Sequence, residues 1–470
     1  MILKFTEWLP DQPSMSGALI DAKNVYPVAA GYSPFPSSVD YSSAASENIR
    51  NIFVGRYGGD TQVFAGGATK LFKLDASDLS MDDKSKSGGY SGTGQWKFAQ
   101  FGKQILAVNN SEVMQSWEIG SSSIFADISG SPICKYVTVI RDFVVTGNIG
   151  SDTNKIQWSD VNDETDWVSG TTSQSDYQFI PDGGNITGLT GGEFGLVFLE
   201  RAIVRMSYVG SPLFFQLDTI SRGLGCLDGN AVAQYGSTSF FLSDDGFYKT
   251  DGQSIQGIGT EKIDRWFFND VKLVSLDTMT TAIEPTKKLV VWNYENVDGG
   301  RTMLAFNWQI NKWSRISTDA TVVGTIAATG TTLEGLDTLY PSIDAMPASL
   351  DDRLFMGGKY LFAGAKDTKL TVFTGFVYDS ELITTDIESG YNSVVTLARP
   401  QVDNGSADVK VASRRELDDL ITFGTSVSTS SEGRANLRSA GRYHRVSVKP
   451  TGSWTTAMAV DVDIKPQGNR

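Results

Sequence analysis

Few residues in this chain have side chains suited to catalysis or metal binding. It holds one histidine, His444, within Arg442-Tyr443-His444-Arg445-Val446. A catalytic imidazole needs an orienting carboxylate and a nucleophile around it, and neither is supplied by its neighbours in sequence. Strand alternation sets His444 with Val446 on one face and Tyr443 with Arg445 on the other, which reads as a structural histidine. The two cysteines, Cys134 and Cys226, are too few for a thiolate zinc site and too distant from the histidine for a nucleophile pair. They read as buried, inert thiols. The glycine-rich stretches at 88–94 and 188–192 lack the Lys-Ser/Thr ending of a phosphate loop and read as turns. Acidic groups recur at Asp75, Asp78, Asp82 and Asp83 and at Asp244-Asp245. Glycoside hydrolysis would require two of them to converge in space, a condition that spacing alone leaves open. The 75–83 run has neither the central glycine nor the terminal glutamate of a calcium loop. No metal, cofactor or catalytic residue is assigned.

The elements that would position these residues are strands. Runs such as Gln104-Ile105-Leu106-Ala107-Val108, Phe143-Val144-Val145-Thr146 and Ser239-Phe240-Phe241-Leu242 each lead through a polar turn into an alternating strand. Such runs start near 62, 104, 143, 195, 239, 289 and 360, spaced by 42, 39, 52, 44, 50 and 71 residues. A period of about 40–50 residues with four strands each is the β-propeller signature. The expected fold is therefore all-β, a six- or seven-bladed propeller over 49–390, with the last gap holding another weak blade or an insertion within 320–350. One short helix is expected at Glu261–Phe268, with Thr260 as its cap and Ile263, Trp266 and Phe267 on one face. Residues 391–470 read as a small C-terminal β domain, with strands at Asn392–Leu397, Asp408–Ala412, Leu420–Gly424 and Tyr443–Val448 and a polar loop at Thr425–Ser431. Residues 1–48 carry five of the fourteen prolines and read as an extended arm. Its apolar side chains Trp8, Leu9, Tyr26, Tyr32 and Phe35 need burial, either against the propeller or against a neighbouring subunit, and they are the candidate assembly residues. The tryptophans, Trp96, Trp117, Trp158, Trp167, Trp292, Trp308 and Trp313 among them, fall at strand ends and turn exits and read as packing between blades.

Composition narrows the function. The 470 residues carry 54 acidic against 40 basic side chains, a net charge of −14, which opposes non-specific adhesion to nucleic acid. No apolar run is long enough for a membrane helix, and the N-terminus lacks the apolar core of a cleaved secretory signal. Synthesis in the cytoplasm is expected.

Several segments, in order along the chain, resemble one family. They are Leu9-Pro10-Asp11-Gln12-Pro13, Ala22-Lys23-Asn24-Val25-Tyr26-Pro27 and Gly31-Tyr32-Ser33-Pro34. Further on come Trp158–Asp163 with Asp166-Trp167, then Phe240–Tyr248, and finally Gly441–Val446 with Trp454. Together they resemble the tail hub or nozzle proteins of short-tailed bacteriophages, the packaged-DNA stabilisation proteins. That resemblance implies a structural virion protein made in a bacterial host and no enzyme. It implies a homo-oligomeric, six-fold ring below the portal and adaptor that bears a needle, spikes or fibres. Double-stranded DNA would pass through its lumen without specific binding. The alternative from another class is a glycan-binding or glycan-cleaving propeller, such as a phage receptor-binding protein.

Overall fold

A computed structural model describes residues 1–92, 94–328 and 356–467, with positions 336, 342 and 346 between the last two stretches. Six four-stranded antiparallel sheets stand apart, and a seventh four-stranded meander at 280–318 continues into a larger sheet. The six are at 51–83, 97–127, 134–179, 186–222 and 233–257, and at 322–377 with the arm strand Pro36–Asp40. Their first strands stand around an axis, and the last, Val322–Ala327, packs beside the first, Asn51–Tyr57. The ring is thus a seven-bladed propeller. It is closed by the arm, whose Pro36–Asp40 pairs antiparallel with Lys369–Val377 as the outer strand of the seventh blade.

The seven apolar runs of the sequence are the second strand of each blade. Gly195–Leu199 is buried along its whole length, and Gln104–Val108 at every position but the first. A second strand is covered on both faces by the neighbouring blades, so it tolerates no polar alternation. Turn chemistry sets the register where strands reverse tightly. Gly58 and Gly59, at φ of +60° and +94°, make the two-residue turn between Asn51–Tyr57 and Asp60–Gly66. The long final spacing arises inside the seventh blade: Val322–Ala327 pairs with Tyr360–Lys366, and the intervening residues account for the gap. The rest of the expected extra blade or insertion, from 329 on, lies outside the described residues save for isolated positions.

The termini depart furthest from expectation. The arm is woven into the chain rather than laid over it. Ile2–Lys4 pairs with Thr456–Pro466, and Asp21–Lys23 lies between Lys312–Thr318 of the sixth blade and Glu381–Ile383. The C-terminal strands Ile387–Asp403, Ser406–Arg414, Ala435–Thr451 and Thr456–Pro466 extend the same sheet. The expected boundary at 390/391 therefore falls inside the strand Ile387–Asp403, and the C-terminal strands share a continuous sheet with the sixth blade. Leu420–Gly424 is not a strand but a single bridge from Phe423 to Ala412, whereas Val427-Ser428 in the expected loop pairs with Asp408-Val409. The helix, α1, spans Asp264–Asp270, three residues late, and Thr260 does not cap it. Asp11 of the arm does, accepting from the backbone N–H of Arg265 and Trp266, both at 2.8 Å.

One hydrophobic core joins these parts. Phe5, Trp8 and Tyr32 of the arm pack with Phe247 of the fifth blade, Trp292, Phe306 and Trp313 of the sixth, Val446 and Val460 of the C-terminal strands, and Trp454 in the connection between the last two strands.

Candidate functional site

A cavity of about 670 Å³ opens at the end of the axis where the first strands begin. It is lined by residues just ahead of those strands or at their starts, among them Arg50, Lys97, Lys135, Asp228, Asn230, Asp277 and Thr321, and by Asn109 and Asp367 where second strands end. A second cavity of about 220 Å³ continues down the axis and shares Lys97 and Asn230 with the first. Lys97 stands on the second blade, and Asn230 on the 3-10 turn Gly229–Ala231 that precedes the fifth. The Lys97 ammonium donates to Asn230 Oδ1, so the channel is spanned from one side to the other. Asp228 holds the turn by accepting from Asn230 N at 2.8 Å, and Asn230 Nδ2 donates to Asp277 O at 2.8 Å. Gly229 allows this closure, because a Cβ there would lie 2.5 Å from the Tyr136 ring and 2.6 Å from Thr187 O.

The electrostatics of the mouth are layered. Asp277 and Asp367 are exposed at the rim, while Lys97 lies deeper. Burial lowers the Lys97 pKa to about 8, with Lys135 acting in the same sense and Asp228 opposing it. Lys135 reaches Asp228 at 3.8 Å. Arg301 spends its guanidinium on Thr278, donating to its carbonyl at 3.3 Å and its hydroxyl at 3.2 Å. Among the described residues no carboxylate lies within ion-pair distance of Lys97 or Arg301. Asn109 is 2 % exposed; its Oδ1 accepts from the backbone of Ser111 and Glu112, and its amide nitrogen has no partner.

The residues singled out in the sequence lie elsewhere. His444 is buried between two hydroxyls, Ser393 Oγ at 2.7 Å from Nε2 and Ser413 Oγ at 2.7 Å from Nδ1. With no carboxylate on either ring nitrogen and no solvent access, it is a structural residue. Contrary to simple alternation, Arg445 is buried as well, held by Asp386 through bonds of 3.0 and 2.7 Å. Cys134 and Cys226 are free, buried thiols, each pushed up to a pKa well above the ordinary thiol range by burial. Asp75 and Asp83 are turn residues that accept from Ser77 and Ser85. Asp245 accepts from Tyr248 Oη at 2.8 Å. Asp264, which no motif marks, has its pKa pushed up to about 7 by burial, with Asp11 and Asp245 adding to the effect. It accepts from Phe247 N at 3.1 Å beneath Gly246 and Gly259, and it does not line the axial cavities.

The candidate assembly residues are mostly interior. Trp8 and Phe35 are 1 % exposed and Tyr32 is fully buried, all against their own chain. Tyr32 Oη accepts from Trp8 N at 3.1 Å, and Phe35 meets Phe362 and Phe373 edge-on. Leu9 and Tyr26 are half-buried. Of the two ways of burying the arm left open by its sequence, these side chains take the intramolecular one.

No protein-family profile matches the chain, and no curated protein matches it. Solved structures similar to it include a chain of a mitotic checkpoint complex, at 9% identity and TM-score 0.38, covering 75% of this chain and 97% of that one. The Pan2 WD40 domain of Neurospora crassa aligns at 8% identity and TM-score 0.41 over 73% and 96%. YCF48 bound to D1 peptide aligns at 9% and 0.38 over 74% and 99%.

Proposed function

We propose that this chain is a structural virion protein, the repeating unit of a tail nozzle or hub ring of a short-tailed bacteriophage, and not an enzyme. The observation that carries this reading is where the family-like segments meet. Val25, Tyr32, Phe240, Leu242, Phe247, Val446 and Trp454 come from segments as much as about four hundred and thirty residues apart, and they share one core. That core fixes the terminal sheet to the fifth and sixth blades, as a part that transmits load between neighbours requires. A passive conduit also suits the net charge of −14, since like charge on a lumen wall favours sliding over adhesion. With the axis of each propeller spanned by Lys97 and Asn230, the DNA path in this reading runs between copies. The ring would sit on the portal and adaptor and carry needle, spikes or fibres.

Native mass spectrometry of the purified chain, with and without a portal–adaptor assembly, tests the reading. Six copies per portal–adaptor complex are expected. A persistent monomer that turns over capsular or lipopolysaccharide substrate, and loses this on a single Asp or Glu substitution, overturns it in favour of the glycan-cleaving alternative.

A further inference from the structure

We propose that the outer edge of the fourth blade is a docking site for an extended strand of a partner protein. The strand adds antiparallel to Phe214–Arg222, with apolar side chains toward the third blade and a lysine or arginine beside Asp218. The site lies within one propeller and does not rest on the nozzle reading.

Three observations carry the proposal. First, Phe214–Arg222 is nine residues long and ends its sheet, whereas the free outer strands of the other blades span two to five residues. Phe215–Thr219 keeps unbroken register with Val204–Tyr208, and the bulge falls after it at Ile220. Among the described residues no group outside that pairing bonds to the main chain of Gln216–Ser221. A row of unpaired N–H and C=O groups is the template of an added strand, and neither proline nor lysine interrupts it here. The chain completes its own seventh blade in the same way, with Pro36–Asp40 on Lys369–Val377. Second, a groove of about 280 Å³ lies beside the edge, lined by Val204, Leu217 and Thr219 of the fourth blade and Phe179, Ile180 and Pro181 from the third. Alternate residues of an added strand share a face with Leu217 and Thr219, and apolar side chains there would cover this lining. Third, among the described residues Asp218 has no cation within ion-pair distance; it accepts from Gln216 Nε2 at 2.8 Å. Its cross-strand neighbour Arg205 is turned to the Phe194 ring, at 4.3 Å, and to Gly252 O. A basic residue across the new pair supplies the missing charge. The same carboxylate tells against a second copy as the occupant, since two chains of net charge −14 would bring an Asp218 to each side of the joint.

Fluorescence anisotropy of the full chain with a short labelled peptide of core Val-Lys-Val-Thr-Val tests this, its lysine meeting Asp218 when the strands run antiparallel. The other arms are the same peptide with glutamate for lysine, and two N-methylated forms, each blocking alternate main-chain N–H groups. Saturable binding of the lysine peptide is expected, with the glutamate peptide about fivefold weaker and binding lost in one methylated form. Asp218→Lys should reverse the order of the lysine and glutamate peptides, its fold checked by circular dichroism. Should that variant misfold, hydrogen exchange of the wild type decides: the lysine peptide should slow exchange within Gln216–Ser221 and leave the other outer strands unchanged. Absence of binding, indifference to both methylations, an unreversed order in folded Asp218→Lys, or protection at another strand instead overturns the proposal. Sedimentation velocity of the chain alone completes the test: a dimer whose formation slows exchange in Gln216–Ser221 gives the edge to a second copy and overturns it too.

Discussion

Asp264 and His444 respond to protons in opposite senses, and each has a mutational signature. The Asp264 carboxyl holds its proton up to about pH 7 in the folded chain, whereas the unfolded chain releases it near the ordinary carboxylate value. Between those values the folded state binds more protons, so stability falls as pH rises through the window. Asp264→Asn should therefore raise the melting temperature at pH 8 by roughly 1–4 °C and leave it nearly unchanged at pH 4. An equal shift at both pH values would show that the carboxyl is ionised throughout. Burial lowers the pKa of His444, so the folded state binds fewer protons than the unfolded chain below its ordinary value near 6.5. Its contribution is intact above that value and is lost as pH falls. His444→Gln, still able to bond to Ser393 and Ser413, should lose less stability than the wild type between pH 7 and 5, read from thermal melts at both.

At the scale of elements, the arm and α1 depend on each other. Asp11 satisfies two orphan N–H groups of α1, and Gln12 Nε2 donates to Glu261 O at 2.8 Å. Asp11→Ala should cost about 1 kcal/mol and speed amide hydrogen exchange in α1 and in residues 1–20 together. Acceleration in α1 alone would mean that the arm is held by other contacts. Gly31, at φ +152° with a virtual Cβ 2.1 Å from Ala457 O, admits no side chain without parting Gly31–Pro34 from Thr456–Pro466. The helix expected from Glu261 begins only at Asp264 because its cap comes from some 250 residues away, which local capping rules do not reach.

For the whole molecule, the shared core predicts cooperativity. Calorimetry should show the propeller and the terminal sheet unfolding in one transition, and two separated transitions would show that the core couples them weakly. Trp313→Ala, removing a fully buried ring that stacks on Trp292 at 5.6 Å, should lower that single transition by the equivalent of about 3–5 kcal/mol. Deletion of residues 1–30 removes Trp8 and the strand Asp21–Lys23 that joins the sixth blade to the C-terminal strands, so loss of the fold is expected, read by circular dichroism. Assembly through the arm is better probed at half-buried Leu9, where a serine should leave the fold standing.

The sequence by itself determined that this is a β-propeller, because a second strand buried between blades must be apolar along its length, and seven such runs recur. It also made Trp96, Trp117, Trp158 and Trp313 packing residues and placed the cysteines in the interior, since residue type and strand context suffice there. Tertiary structure alone decided the rest. Whether Trp8, Tyr32 and Phe35 turn inward depends on partners hundreds of residues away, and a proline-rich arm is equally suited to its own chain or a neighbour's. The axial mouth was illegible for the same reason. Lys97, Asn109, Asn230 and Arg301 sit in four separate strand-and-turn contexts with no motif among them, and only closure of the ring brings them to one cavity.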